Sequence, residues 1–206
     1  MNIVDNSLTI VLLGDWNKLY IQPEWVANNI FCKPEMEIGV EAQGIEFNIS
    51  YKCNNVIINP SQEKIVFTAT NIEEETIKFL ADCATNYINN AKTPHLTAYG
   101  LNVDFIENED TLLSDLFDGI SDTQALIKLN YEVINSQVSR TIKKDNNIVN
   151  IQYTQEQAQS KIHINEHHAE PEEGTVVFDY ESIIGFIQRS KEIATGLGYE
   201  FEDDDE

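Results

Sequence analysis

Three of the four histidines fall within six residues, His163, His167 and His168, with Glu166 and Glu170 beside them. Imidazole and carboxylate together are donors that zinc or nickel takes, so these histidines are the residues that would hold a metal. Their spacing argues against it. Ile162 and Ile164 alternate with His163 and send it to the solvent side with Lys161, whereas His167 and His168 fall near a loop ending in Pro171-Glu172-Glu173-Gly174. Neither HExxH nor a paired CxxC supports them. An exposed polar loop is the simpler account, and no metal or other cofactor is assigned.

Nucleophilic and phosphate chemistry find no better footing. Cys32, Cys53 and Cys83 are odd in number and form no CxxC, which fits idle thiols in a reducing cytoplasm. Cys83 follows Leu80 by three residues and reads as a core thiol. The nine glycines are scattered, with no GxSxG, GxxxxGK or GxGxxG among them. Carboxylates are so abundant that naming two as general acid and base would be arbitrary. No catalytic residue is assigned, and the balance is against an enzyme.

Charge is the most informative feature of the composition. The 35 acids against 13 bases leave a net charge of -22. The imbalance grows along the chain, from 12 acids and 6 bases in residues 1–98 to 23 and 7 in residues 99–206. Such a chain cannot neutralise phosphates, so direct binding to nucleic acid or to an anionic membrane is disfavoured. The acids concentrate at Asp104, Glu107, Glu109, Asp110, Asp115, Asp118 and Asp122, with no base between them. Leu112, Leu113, Leu116, Phe117 and Ile120 form the apolar stripe of a short helix there, which turns the acids to its other face. That face is the expected docking surface for a protein with a basic surface, or a mimic of nucleic-acid phosphates. A solvated helix packed on the core is the plain alternative. EF-hand spacing is absent, so a calcium site is not expected.

The element around which the rest is arranged is an amphipathic helix over residues 72–91, with Ile77, Leu80, Ala81, Ala84, Tyr87 and Ile88 on one face. Asn71 is its expected cap, and Glu74 completes a capping box. Ahead of it come a buried strand from Ser7 to Leu13 and a short helix opened by Pro23, with Trp16 and Trp25 as a lid on the sheet. Met36, Ile38, Val40 and Ala42 then alternate. After Gly44 the phase shifts to Ile45, Phe47, Ile49 and Tyr51, which reads as a β-bulge at the glycine. Short strands over 56–58 and 65–69 lead into the helix.

The second half has a similar order. A strand over 96–106 precedes the acidic helix, and Ile127, Leu129, Tyr131 and Val133 alternate as a half-exposed strand. Residues 138–142 and 148–153 form a hairpin, strands come next over 161–164 and 175–178, and Asp179 caps a last helix with Ile183, Ile184, Ile187 and Ala194 inward. The class is therefore α+β, as two loosely repeated antiparallel strand units, each ending in an amphipathic helix. Residues 1–94 carry the helix 72–91, residues 95–199 carry the helix 180–195, and residues 200–206 form a disordered acidic tail. One continuous sheet with two helices on one face is the alternative.

The stretches LLGDWNKLYIQPEW and TPHLTAYGLNVDF contain Gly14, Trp16, Asn17, Pro23 and Trp25, then Thr93, Pro94, Ala98, Gly100 and Asn102. This pattern resembles that of uncharacterised, sporadically distributed bacterial proteins, over about a tenth of the chain. The resemblance implies a bacterial cytoplasmic origin in a mobile or phage-defence operon, and carries no catalytic residue. No apolar run approaches the ~18 residues of a membrane span, and the first residues lack a signal peptide's basic region, which also places the chain in the cytoplasm. The expected role is a non-enzymatic acidic binding or accessory protein acting through protein contacts, such as a subunit or an immunity-like partner. A nucleic-acid mimic that inhibits a basic protein, and an enzyme or metal protein using His163, His167 and His168, are the alternatives.

Overall fold

Alternating apolar residues on a strand need a covering layer, and among the described residues three helices supply it for the central part of one ten-stranded antiparallel sheet. The computed structural model describes residues 1–16, 21–43, 46–91, 96–108, 125–126, 128–144, 147–156, 159–169, 171 and 176–201. The strands are β1 (Asn2–Ile3), β2 (Thr9–Gly14), β3 (Glu37–Gln43), β4 (Glu46–Cys53), β5 (Val56–Pro60) and β6 (Lys64–Ala69). They continue as β7 (Leu96–Glu107), β8 (Asn135–Lys144), β9 (Asn147–Glu156) and β10 (Gln159–Ala169). The sheet order is β3-β4-β5-β6-β2-β7-β10-β9-β8, with β1 on β7 beside β2.

The helices are α1 (Pro23–Val26, running into a π-helical turn over Ala27–Phe31), α2 (Glu74–Asn90) and α3 (Tyr180–Gly196). Ile77, Leu80, Ala84 and Tyr87 of α2 are buried, as are Ile183, Phe186 and Ile187 of α3. They pack on the inward residues of the central strands, among them Ile10, Phe67, Val103 and Ile164. Trp16 and Trp25 both meet Tyr87 of α2 edge-on, at 5.2 and 5.9 Å. No helix among the described residues is long and apolar enough to cross a membrane.

The mixed α+β class holds, but the two repeated units do not. β2 pairs with β6 on one side and with β7 on the other, so the sheet runs without a break across the expected boundary at residue 94. The alternation read as one strand with a bulge belongs to two strands, since β3 and β4 pair antiparallel with Gln43 opposite Glu46; Gly44 itself lies outside the described residues. The half-exposed strand over 127–133 is also absent. Leu129 lies in a turn, Asn130 takes a left-handed φ of 63°, and Tyr131 comes after it without regular structure.

Val176 to Phe178 form no strand either, although Phe178 exchanges two hydrogen bonds with the Thr85 hydroxyl. Asp179 does cap α3, with a capping box completed by Ser182. Asn71 does not cap α2. It accepts only the Glu73 N–H at 3.3 Å, and α2 starts after Glu73 without a side-chain cap. At the expected tail, Phe201 is partly buried with its ring edge-on to Phe105 at 5.2 Å.

Candidate functional site

β10 is longer than its apolar pattern suggested, running through His167 and His168 to Ala169, so those two histidines stand in the strand and not in a loop. The alternation of a strand then separates them. Lys161, His163, Asn165 and His167 face the uncovered side of the sheet. Ile162, Ile164, Glu166 and His168 face the helices. Glu170 lies outside the described residues. The three histidines therefore do not converge on one point, and no group of three metal-ligating side chains is arranged for a metal among the described residues.

Each side of β10 instead builds its own charge cluster. On the open side Asp104 of β7 stands opposite His163, with Nδ1 of His163 2.6 Å from one carboxylate oxygen and Nζ of Lys161 2.7 Å from the other. Burial alone would raise the Asp104 pKa. The hydrogen bonds and charges of His163 and Lys161 outweigh it and hold the carboxyl below its ordinary range. An Asp–His pair of this kind could orient a general base. Ser7 is near, but its hydroxyl is occupied with backbone, donating to the Val4 carbonyl at 2.6 Å and accepting the Asp104 N–H at 3.1 Å. Among the described residues no hydroxyl or thiol is hydrogen-bonded to His163.

On the helix side Glu166 is only 4% exposed. Arg189 of α3 reaches down and donates from Nε at 3.1 Å and from Nη2 at 2.9 and 3.1 Å. Nε2 of His168 lies 3.1 Å from the same carboxylate, and its ring stacks on Tyr99 at 4.4 Å. Here too burial pushes the carboxyl pKa up, and His168 and Arg189 bring it below the ordinary value. This bidentate pair ties α3 to the sheet.

The open face also carries a continuous amide chain. Asn102 donates to Thr9 (3.0 Å), Asn165 to Asn102 (2.8 Å), Asn150 to Asn165 (3.0 Å) and Thr141 to Asn150 (2.8 Å), so five strands are stitched side chain to side chain. Gly100 serves this chain, because a Cβ there would fall 2.8 Å from the Asn165 amide nitrogen. Two positions of the Ala-x-Gly-x-Asn pattern thus have structural work. Cys53 and Cys83 lack the features of a reactive thiol, since both are buried and burial raises both pKa values.

Of the expected acidic docking surface, Asp104 is taken up by Lys161 and His163, and Glu107 lies 2.7 Å from the Met1 ammonium. Glu109, Asp110, Asp115, Asp118 and Asp122, and the helix meant to carry them, lie outside the described residues.

The surface that sequence reasoning missed is the hairpin of β3 and β4. Ile38 stands opposite Tyr51, Val40 opposite Ile49 and Ala42 opposite Phe47, all on one face. Tyr51 is 1% exposed, with its hydroxyl donating to the Ile21 carbonyl at 2.8 Å. The helix layer ends there. Beyond it Ile49 is 40% exposed, Ile38 50%, Val40 64% and Phe47 66%. On the other face Glu37 lies 4.0 Å from Lys52, Glu41 stands opposite Asn48, and the Ser50 hydroxyl covers Gly39. β3 ends the sheet order, so among the described strands its outer edge pairs with none. The alternation that makes this face was visible in the sequence. That none of the described helices buries it was not.

No family model, curated protein or solved structure matches the chain significantly, so only its own geometry bears on its function.

Proposed function

We propose that the chain is a non-enzymatic protein-binding module, an accessory subunit or immunity-like partner in a bacterial operon, which docks through the β3–β4 hairpin. The observation that supports this reading is the row Ile38, Val40, Phe47 and Ile49, four large apolar side chains 40–66% exposed side by side. Scattered exposed apolar residues are ordinary, but a contiguous row on a projecting element marks a contact surface. The negative net charge of 22 selects a partner with a basic surface and speeds their encounter.

The test is a pull-down from the source organism at low and moderate salt, with wild type beside the double variant Val40→Glu, Phe47→Ser. Both side chains are mostly exposed, so the variant should keep its unfolding free energy within about 0.5 kcal/mol of wild type. A partner captured by wild type should vanish from the variant and weaken with salt. Capture of the same partner by both proteins would end the assignment to the hairpin.

A further inference from the structure

We infer that the hairpin receives its partner by strand addition: an extended segment alternating apolar and basic residues pairs with the outer edge of β3. This rests on the hairpin being the docking element and specifies what it binds. An edge strand presents unpaired N–H and C=O groups, and proteins usually guard such edges with charged side chains, lysine above all, with proline or with a bulge. The far edge of this sheet obeys that rule, since β8 carries Arg140 and Lys143. β3, with the sequence EIGVEAQ, has no proline and its pairing to β4 runs through all seven residues without a bulge; its only charges, Glu37 and Glu41, repel an acidic strand and leave the edge open to a basic one.

The side chains of β3 specify what an added strand must look like. Residues opposite Ile38 and Val40 extend the exposed apolar row and should be apolar. Residues opposite Glu37 and Glu41 fall on the other face and should be basic. The residue opposite Gly39 meets the Ser50 hydroxyl and is free to vary. The required pattern is basic, apolar, any, apolar, basic. Glu37 is already shared with Lys52, whereas Glu41 faces the neutral Asn48, so the base opposite Glu41 matters more. A second copy of the chain fits less well, because it brings a further net charge of -22 and offers acids to acids.

The probe is a blocked seven-residue peptide alternating lysine and valine, titrated into the full isotope-labelled chain and monitored by amide resonances and hydrogen exchange. The control has the same composition with its valines grouped. The alternating peptide should shift and protect amides of residues 37–43 and bind at least tenfold tighter than the control. Glu41→Lys should weaken it about tenfold at low salt, more than Glu37→Lys does, and high salt should shrink that difference. Equal binding of both peptides, or shifts confined to other acidic surfaces, would reduce the effect to diffuse charge attraction and overturn the inference. So would β3 amides already protected in the free protein together with a doubled mass, since a second copy would then hold the edge. If the peptide fails while Val40→Glu still removes the captured partner, strand addition falls and the hairpin assignment stands.

Discussion

Glu166 occupies a position where strand alternation calls for an apolar side chain, and His168 and Arg189 together make a carboxylate tolerable there. Removing one partner of a buried pair leaves the other charge uncompensated, at about 3–5 kcal/mol in full burial. Arg189 is 49% exposed, so solvent screens the pair and Arg189→Met should cost about 2 kcal/mol at neutral pH. The pH dependence carries a definite sign. The folded pKa of Glu166 lies below the unfolded value of about 4.3, so its stabilisation is complete above that value and is lost as pH falls through the folded pKa. Without Arg189, only His168 opposes the effect of burial, so the variant's carboxyl titrates higher than in wild type and the variant has less charge-dependent stability to lose in acid. The gap between wild type and Arg189→Met should therefore narrow below about pH 4. Urea unfolding at pH 7 and in mild acid measures this, and a gap independent of pH would refute the account.

The helices differ in how their ends are secured, and each end makes a separate prediction. At α3 the Asp179 carboxylate accepts the Ser182 N–H at 2.7 Å while the Ser182 hydroxyl accepts the Asp179 N–H at 3.2 Å. Asp179→Ala should cost about 1 kcal/mol, whereas Asn71→Ala ahead of α2 should cost well under about 0.5 kcal/mol, since Asn71 reaches no N–H inside that helix. Thermal unfolding of the two variants compares them directly, and equal losses would contradict the capping geometry. Both sites carry plausible caps in the sequence. Where the chain turns into the helix decides which is used, and tertiary packing sets that turn.

For the whole molecule, the continuous sheet replaces two units with one. β2 lies between β6 and β7, and α2 touches α3, so neither half can bury its strands without the other. We expect a single cooperative transition in calorimetry, with calorimetric and van't Hoff enthalpies equal, and no independently folded fragment from residues 1–94. Two resolved transitions would restore the two-unit organisation. The side-chain chain across β2, β7, β10, β9 and β8 works in the same direction through one of its bonds, that from Asn102 to Thr9, which joins the two halves.

Local pattern was enough to locate most of these elements. The spacing of Ile77, Leu80, Ala84 and Tyr87 marked α2, Asp179 marked the start of α3, and the polar residues after Ile142 marked the β8–β9 hairpin, because each signal lies within a few neighbouring residues. Three features depended on distant contacts instead. The phase shift near Gly44 fits a bulge and a reversal equally, and only the pairing of β3 with β4 distinguishes them. Glu166 looked like one more acid beside histidines until Arg189, 23 positions later, met it across the layer. Val40 and Phe47 have the pattern of core residues, yet they are 64% and 66% exposed where the described helices no longer bury the face that Tyr51 shares with them. Apolar periodicity tells which side chains share a face. Whether anything covers that face depends on where the other elements end, which no single stretch of sequence records.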